Sequence, residues 1–239
     1  RYLGNIKLTI QEYGYDASPN TNYSAITIGS KSRRTVSADW GARAYLLARA
    51  AGIDQMNWFR SLDLTNDFTA GADFATSGAG TGFNGTSPDS SFKYWPVGYM
   101  LGTLKWVMKN HIGKSQMITY GDSTSYTVMK DTAVAGYDTC TYYSWMGTSN
   151  NSTSSVTINA PSGKTFSYIQ RVDFKYSGVS GAGELNNGDV NGTKTTITPA
   201  SSITFTATET PVMFRVVETN TGAPPPTETR RLGRYRLKF

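Results

Sequence analysis

The chain has 239 residues, enough for one large domain or two smaller ones, and its composition of 17% charged residues and 24 glycines favours a β-rich extracellular protein. Of the net charge of +6, the stretch 227–239 carries +4, from five basic residues against Glu228, so the nearly neutral body argues against nucleic-acid binding. With one cysteine and one histidine, a disulfide framework and a cysteine zinc site are excluded, and a Ser-His-Asp triad is disfavoured.

The first quarter of the chain has the pattern of a strand, a helix and a second strand. Residues 6–11 alternate as a short strand, a helix is predicted from about Ser32 to Ala51, and residues 53–60 form the next strand. Ser32 suits the N-cap of the helix, and Gly52 stands where a C′ glycine ends one. Strand, helix and strand in this order predict a βαβ unit with parallel strands. The apolar stripe expected on the helix comprises Val36, Trp40, Ala44, Leu47, Ala48 and Ala51.

A long polar loop, about 61–91, separates this unit from a second helix. Loops of this length in compact domains are usually functional. The helix is predicted from about Trp95 to Asn110, with Pro96 in its first turn. His111 follows the end of the helix, where a capping or surface role is more plausible than catalysis. The expected buried face comprises Val97, Met100, Leu101, Leu104, Val107 and Met108.

The pattern changes near residues 113–123, and short strands separated by turn residues continue to about Val217. Such punctuation predicts an antiparallel β-sandwich. Gly222–Pro226 then resembles a linker, and a basic tail closes the chain. The expected domains are therefore 1–118, 119–218 and 219–239. The strands are predicted at 126–129, 139–145, 155–158, 168–176, 194–198, 202–206 and 212–217.

The candidate catalytic residue is Glu12, at the end of the first strand. It is the only glutamate before Glu184, so it does not belong to a charged solvated face. A glycine and two tyrosines follow it, in the run Gln11-Glu12-Tyr13-Gly14-Tyr15. The alternative is an ordinary glutamate on an edge strand.

The ordered series of motifs resembles the retaining glycoside hydrolases that are built on a (β/α)8 barrel. Lys7–Asp16 is similar to the seventh barrel strand with its nucleophile motif, although Gln11 departs from the usual small or hydroxyl residue. Gly52–Phe59 is similar to the eighth strand and Lys93–Lys105 to the final helix. Glu209–Phe214 lies in a segment similar to the accessory β-sandwich. The resemblance implies the last two β/α units of a TIM barrel followed by a β-sandwich, an α/β plus all-β fold.

In this resemblance Glu12 is the nucleophile, at the carboxyl end of a barrel strand that opens into the active-site mouth. Tyr13 or Tyr15 donates a hydrogen bond to it, or both pack within the loop. Trp58 stacks beneath a sugar ring, or is a buried core residue. Arg60 and Asp63 bind sugar hydroxyls, or pair with one another.

The chain contains no Asn-Glu dipeptide, which is where this family carries its acid/base residue. We therefore expect the chain to be the C-terminal part of a larger enzyme, with the upstream barrel or a separate polypeptide as its partner. The implied substrate is a polysaccharide, cleaved without metal or cofactor, and the implied location is the cell exterior or surface. The alternative is a catalytically inactive structural or carbohydrate-binding protein on the same scaffold.

Overall fold

The computed structural model describes residues 8–59, 63, 76–80, 94–108, 111, 116–119, 126–132, 139–176 and 192–221. Near the start of the chain, a pair of short parallel strands is connected by a helix. The predicted βαβ unit is therefore confirmed. These elements are β1 (Thr9–Tyr13), α1 (Arg33–Ala50), β2 (Gln55–Trp58) and the following helix α2 (Pro96–Met108).

The ends of α1 lie where the sequence predicted them. The main-chain N–H of Thr35 donates to the Ser32 hydroxyl at 3.3 Å, which confirms the N-cap. Gly52 adopts φ of +85° just after the C-cap Ala51, which is the left-handed conformation that glycine accepts without steric cost. Local capping chemistry thus fixes both helix ends.

The apolar stripe predicted for α1 is confirmed at Val36, which is buried, and is wrong toward the end of the helix. Leu47 is 41% exposed and Ala51 is exposed, whereas Asp39 and Arg43 are buried. The reason is that α1 packs on two sides, against the parallel strands and against the antiparallel sheet, so a single-stripe rule fails. The side chains that α1 buries are small or hydrogen-bonded: Val36, Ser37, Ala38, Asp39, Gly41, Ala42, Arg43 and Leu46.

The prediction for α2 is confirmed more closely. The helix begins at Pro96, and four of the six expected residues are buried, namely Val97, Met100, Leu104 and Val107. Gly98 is also buried, because a Cβ there would lie 2.5 Å from the main-chain oxygen of Ala79.

The rest of the described chain forms antiparallel sheets, as the turn pattern predicted. All seven expected strands are present, and the sequence missed only the first, β3. One sheet has six strands in the order β3-β4-β5-β10-β7-β8, and β6 pairs with β9 in a second sheet. The strands are β3 (Gln116–Thr119), β4 (Tyr126–Thr132), β5 (Thr139–Met146), β6 (Ser154–Asn159), β7 (Lys164–Phe174), β8 (Gly192–Ile197), β9 (Ser202–Ala207) and β10 (Val212–Asn220).

The six-stranded sheet has an apolar core on each face. On one face it packs against β6 and β9, with Phe166, Phe205 and Phe214 among the buried residues. On the other it packs against α1 and α2, where Trp145 and Met213 meet the helices. The boundary predicted at residue 118 therefore separates the chain in sequence, while one apolar core crosses it in space.

Polar side chains of α1 also attach it to the antiparallel sheet. Asp39 accepts hydrogen bonds from Thr210 and from the Tyr176 hydroxyl, the latter at 2.7 Å. Arg43 is buried, and its guanidinium donates to the carbonyls of Met146 at 3.0 Å and Thr148 at 2.7 Å. Because each of these charged side chains has hydrogen-bond partners, α1 buries charge without leaving the charged groups unsatisfied.

The histidine of the chain is a member of the same junction. The main-chain N–H of His111 donates to the carbonyl of Met108 at the end of α2, a bond that does not depend on the histidine side chain. Its side chain is buried rather than on the surface, with Nδ1 at 3.5 Å from the Asp131 carboxylate and Nε2 at 3.1 Å from the Thr141 hydroxyl. Arg49 of α1 also donates to Asp131, at 2.9 Å.

A second polar cluster surrounds Glu218, which is buried near the end of β10. Its carboxylate accepts hydrogen bonds from Lys130 at 2.8 Å, from the Tyr142 hydroxyl at 2.7 Å and from the Cys140 thiol at 3.1 Å. Burial by itself raises the pKa of this carboxyl group, yet these donors outweigh burial and lower the pKa of Glu218 below its ordinary value.

A depressed pKa in the folded state makes stability depend on pH. The ionised Glu218 stabilises the fold above the ordinary glutamate pKa of about 4.3, and this contribution is lost as the pH falls through the lowered pKa. We expect Glu218→Gln to be less stable at pH 7 and to lose some of the acid dependence of its unfolding midpoint. Urea unfolding measured between pH 7 and pH 3 tests this. A variant with the same acid dependence as the unmodified protein would contradict it.

Candidate functional site

Glu12 lies at the carboxyl end of β1, and its side chain is exposed. It lines a recess of about 260 Å³ between the two parallel strands and α1. The recess collects three of the residues that the sequence singled out, Glu12, Tyr13 and Tyr15, and its other lining residues are mainly apolar. These are Ile10, Gly14, Ala44, Met56 and Phe59.

The ends of the two parallel strands are held close together beside Glu12. The N–H of Phe59 donates to the carbonyl of Tyr13 at 2.8 Å. A Cβ on Gly14 would lie only 2.7 Å from the Phe59 carbonyl oxygen, so a glycine is required where the strands converge. The Glu-Tyr-Gly sequence thus places an exposed carboxylate next to a tightly packed strand end.

The two tyrosines pack within the core behind the recess as well as lining it. The Tyr13 ring meets Trp58 edge-on at 5.0 Å, and the Tyr15 ring meets Trp40 at 5.2 Å. Burial raises the pKa of both phenols, so both are protonated at neutral pH. The Tyr13 hydroxyl is buried without a hydrogen-bond partner among the described residues, which leaves it a free donor.

Trp58 occupies the position of a packing residue. Its indole N–H donates to the carbonyl of Ser77 at 2.7 Å, and its ring lies against α1, where a Cβ on Gly41 would be 2.5 Å away. The side chain is partly buried and contacts the core shared with α2. Of the two alternatives for Trp58, this placement matches the core residue.

Asp63 is buried and pairs with a residue that the sequence did not suggest. Its carboxylate accepts from the Arg34 guanidinium at 2.6 Å, from the Gly78 N–H at 2.7 Å and from the Trp95 indole at 2.7 Å. These contacts fit a structural ion pair rather than a sugar-binding group. Arg60, the partner considered from sequence, lies outside the described residues.

The Arg34–Asp63 pair combines a large desolvation cost with several compensating contacts. Burial raises the pKa of Asp63 and lowers that of Arg34, while the hydrogen bonds between them act in the opposite sense. The guanidinium also stacks 4.0 Å from the centre of the Trp95 ring. Removing one partner of a buried pair of this kind is strongly destabilising, because the other charge is then left buried and uncompensated.

A second buried carboxylate joins the loops that follow the two strands. Asp16, after β1, accepts from the main-chain N–H and the hydroxyl of Thr76, at 2.9 and 2.8 Å. The Thr76 hydroxyl in turn accepts from the N–H of Ser18 at 2.8 Å. Thr76, which follows β2 in the chain, is thereby held against the loop after β1, at the same end of the strands as Glu12.

The sequence contained one signal for this network. Arg33 and Arg34 occupy the first turn of α1, where the helix dipole disfavours positive charge and no acidic residue is present. Cations in this position indicate a carboxylate partner from elsewhere in the chain. The sequence does not say which carboxylate, since Asp63 is separated from Arg34 by the whole helix and β2.

The chemistry that this arrangement allows centres on one group. Glu12 presents an exposed carboxylate at the end of a parallel strand, with phenol groups and an apolar wall beside it. Among the described residues, Glu12 is the only carboxylate that lines the recess. The site can therefore offer a nucleophile or a hydrogen-bond acceptor, and any second acid must come from another region of the protein.

No protein-family model matches the chain, and neither does any curated protein. The solved structures to which it is similar include glycoside hydrolases. They include the catalytic domain of GH30 xylanase C from Talaromyces cellulolyticus, which is 14% identical over 90% of this chain and 42% of that chain, with a TM-score of 0.45.

Two further similar structures are arabinofuranosidases. The GH51 enzyme from Xanthomonas axonopodis pv. citri is 10% identical over 88% of this chain and 41% of that chain, with a TM-score of 0.47. The alpha-L-arabinofuranosidase from Thermotoga maritima is 13% identical over 90% and 43%, also with a TM-score of 0.47. The chain spans less than half the length of these structures.

The buried Arg34–Asp63 pair can be tested by stability. Asp63→Asn leaves the Arg34 guanidinium in a buried site without its counter-charge, and we expect it to lower the free energy of unfolding by about 3 kcal/mol. Asp173→Asn is the control, because Asp173 forms an exposed pair with Arg171 that is worth less than about 1 kcal/mol. Chemical denaturation measures both. Equal effects would show that Asp63 is not a buried structural partner.

Proposed function

We propose that this chain is the C-terminal part of a retaining glycoside hydrolase with a (β/α)8 barrel, and that it acts on a polysaccharide. In this proposal β1 and β2 are the seventh and eighth barrel strands, and Glu12 is the nucleophile. The observation that carries the proposal is the position of Glu12, an exposed carboxylate at the carboxyl end of a parallel strand and at a recess.

The retaining mechanism uses two carboxyl groups that lie about 5–5.5 Å apart. The ionised Glu12 attacks the anomeric carbon and forms a glycosyl ester, while the second group protonates the leaving oxygen. Water then displaces the ester after the second group has removed its proton. Only the first of these two carboxyl groups belongs to the described residues of this chain.

The surroundings of Glu12 suit these steps. Ile10, Met56 and Phe59 give the recess an apolar wall that can contact the C–H face of a sugar. The Tyr13 hydroxyl has no hydrogen-bond partner among the described residues and is protonated at neutral pH, so it can donate to a carboxylate. Donation to Glu12 would favour its charged, nucleophilic form.

A second candidate function is carbohydrate binding without hydrolysis. It is favoured by one observation, namely that no second carboxylate lines the recess among the described residues. The two functions share the site and differ in whether the rest of the protein supplies the acid.

The proposal also requires a partner for the parallel strands. Within the described residues β1 and β2 pair only with each other, so each has an open edge, and Leu8 and Leu47 beside them are 44% and 41% exposed. We propose that the remaining barrel strands, from upstream in the same protein or from a separate polypeptide, cover these surfaces. A polysaccharide substrate implies a location at the cell surface or outside the cell.

The catalytic role of Glu12 is tested in the whole protein. We expect Glu12→Gln to lower kcat for an activated aryl glycoside by about a thousandfold or more, because the amide cannot form the glycosyl ester. Asp173→Asn, an exposed carboxylate remote from the recess, is the matched control and should keep full activity. Normal activity of Glu12→Gln would reject the assignment.

A second variant at the same position separates catalysis from binding. Glu12→Gly should regain turnover of the aryl glycoside when azide is added, and the glycosyl azide should have the inverted anomeric configuration. If the unmodified protein binds oligosaccharides and hydrolyses none of a panel of aryl glycosides, the non-catalytic alternative is correct.

The partner is tested by association of this chain in solution. With the strand edges and Leu8 uncovered, we expect self-association that increases with protein concentration and binding of a dye specific for apolar surface. Replacing Leu8 and Leu47 with serine should reduce both signals. Sedimentation velocity and dye fluorescence provide the measurements. A chain that stays monomeric and binds no dye at all concentrations would contradict the proposal that a partner covers these surfaces.

A further inference from the structure

One face of the six-stranded sheet carries a group of polar and aromatic side chains beside α2. Its sheet members lie on the face that packs against the helices, and they form one group with Trp106, which belongs to α2 itself. We call it the Trp106 surface. Its members are Trp106, Tyr168, Gln170, Lys194, Thr196 and Arg215.

The strand register places these side chains together. Arg215 of β10 is opposite Gln170 of β7, and Gln170 is opposite Thr196 of β8. These three side chains therefore form a row across the sheet on one face. Tyr168 lies two residues before Gln170 on β7, and so shares that face.

Two cations meet at Trp106. The Lys194 ammonium and the Arg215 guanidinium each lie 4.5 Å from the centre of its indole ring. Arg215 also donates to the Gln170 side-chain oxygen at 3.2 Å. Among the described residues, neither cation forms a salt bridge with a carboxylate. Two positive charges are thus held near one ring without a counter-ion from the described regions of the chain.

The opposite face of β7 shows the usual arrangement. There Arg171 pairs with Asp173 at 2.8 Å. By contrast, burial lowers the pKa of Arg215, and the nearby groups that counteract burial are tyrosines. The desolvation of Arg215 is therefore only partly compensated within the described residues, and an anion from outside would compensate it further.

The uncharged members of the surface suit a carbohydrate. Tyr168 is 41% exposed, which leaves part of its ring available for stacking. The Gln170 amide and the exposed Thr196 hydroxyl are hydrogen-bonding groups that sugar hydroxyls can meet.

We propose that the Trp106 surface binds an acidic polysaccharide, with Lys194 and Arg215 pairing with the carboxylates of neighbouring uronic acid residues and Tyr168 stacking on a sugar ring. The choice of a saccharide over other anions rests on the proposed function. The nearly neutral charge of the body is compatible with this, because the proposal needs two cations at one place rather than a basic face.

The test uses a galacturonate trimer and its carboxyl-reduced, neutral counterpart as probes, with the unmodified chain and single variants. Isothermal titration calorimetry should detect binding of the acidic trimer and at least tenfold weaker binding of the neutral trimer. Lys194→Gln and Arg215→Gln should each weaken the acidic trimer at least tenfold. Arg171→Gln removes the same charge from the opposite face of the sheet, and should leave the affinity unchanged.

Three results would overturn the inference: equal affinity for the two trimers, equal losses in Arg171→Gln and Lys194→Gln, or equally tight binding of tripolyphosphate. Tyr168→Ala adds a readout for the sugar ring, because it should weaken the acidic trimer and leave the binding of free acetate unchanged. Lys194 is exposed, so its variant should fold even if Arg215→Gln does not. Glu12→Gln should not change this affinity, so failure of the catalytic proposal and failure of this one give different results.

Discussion

The architecture depends on the close approach of α1 to Trp58 and on the apolar core that α1 shares with its neighbours. On one side the Trp58 ring lies where a Cβ of residue 41 would be, and on the other Ala38 and Ala42 belong to the apolar core formed with α2 and the six-stranded sheet. Small side chains are what allow such approach, since interiors are packed to crystal-like density. The strand ends beside Glu12 keep their positions because the helix behind them is fixed from both directions.

The same constraint explains why charge is buried in α1. A helix enclosed on two sides has few solvent-facing positions, so the arginines and the aspartate along it need partners within the protein. Arg43 donates to main-chain carbonyls, Asp39 accepts from hydroxyl groups, and Arg34 pairs with a carboxylate. Each contact joins α1 to a segment distant in sequence.

Much of the local structure could be predicted from the sequence, and the long-range arrangement could not. The ends of α1 followed from Ser32 and Gly52, and the strands of the sheets followed from their turn residues, because those signals act within a few positions. The buried face of α1 was predicted wrongly, since an apolar stripe presumes one packed side. The ion pair of Asp63 was missed because its partner Arg34 lies in the first turn of α1, and the rest of that helix and β2 separate the two residues in sequence. Glu12 was identifiable because its motif is local, while its catalytic role stays a prediction.

Arg43 has a consequence for how the chain can be divided. Its guanidinium donates hydrogen bonds to two carbonyls at the end of β5. The antiparallel layer therefore relies on a side chain from the preceding α/β segment. A fragment that starts at residue 119 would expose those oxygens and the apolar area around Trp145 to water. The boundary near residue 118 thus divides the chain in sequence and not in the folded structure. Recombination or gene fusion at that boundary would have to include α1, or replace the Arg43 guanidinium with another hydrogen-bond donor.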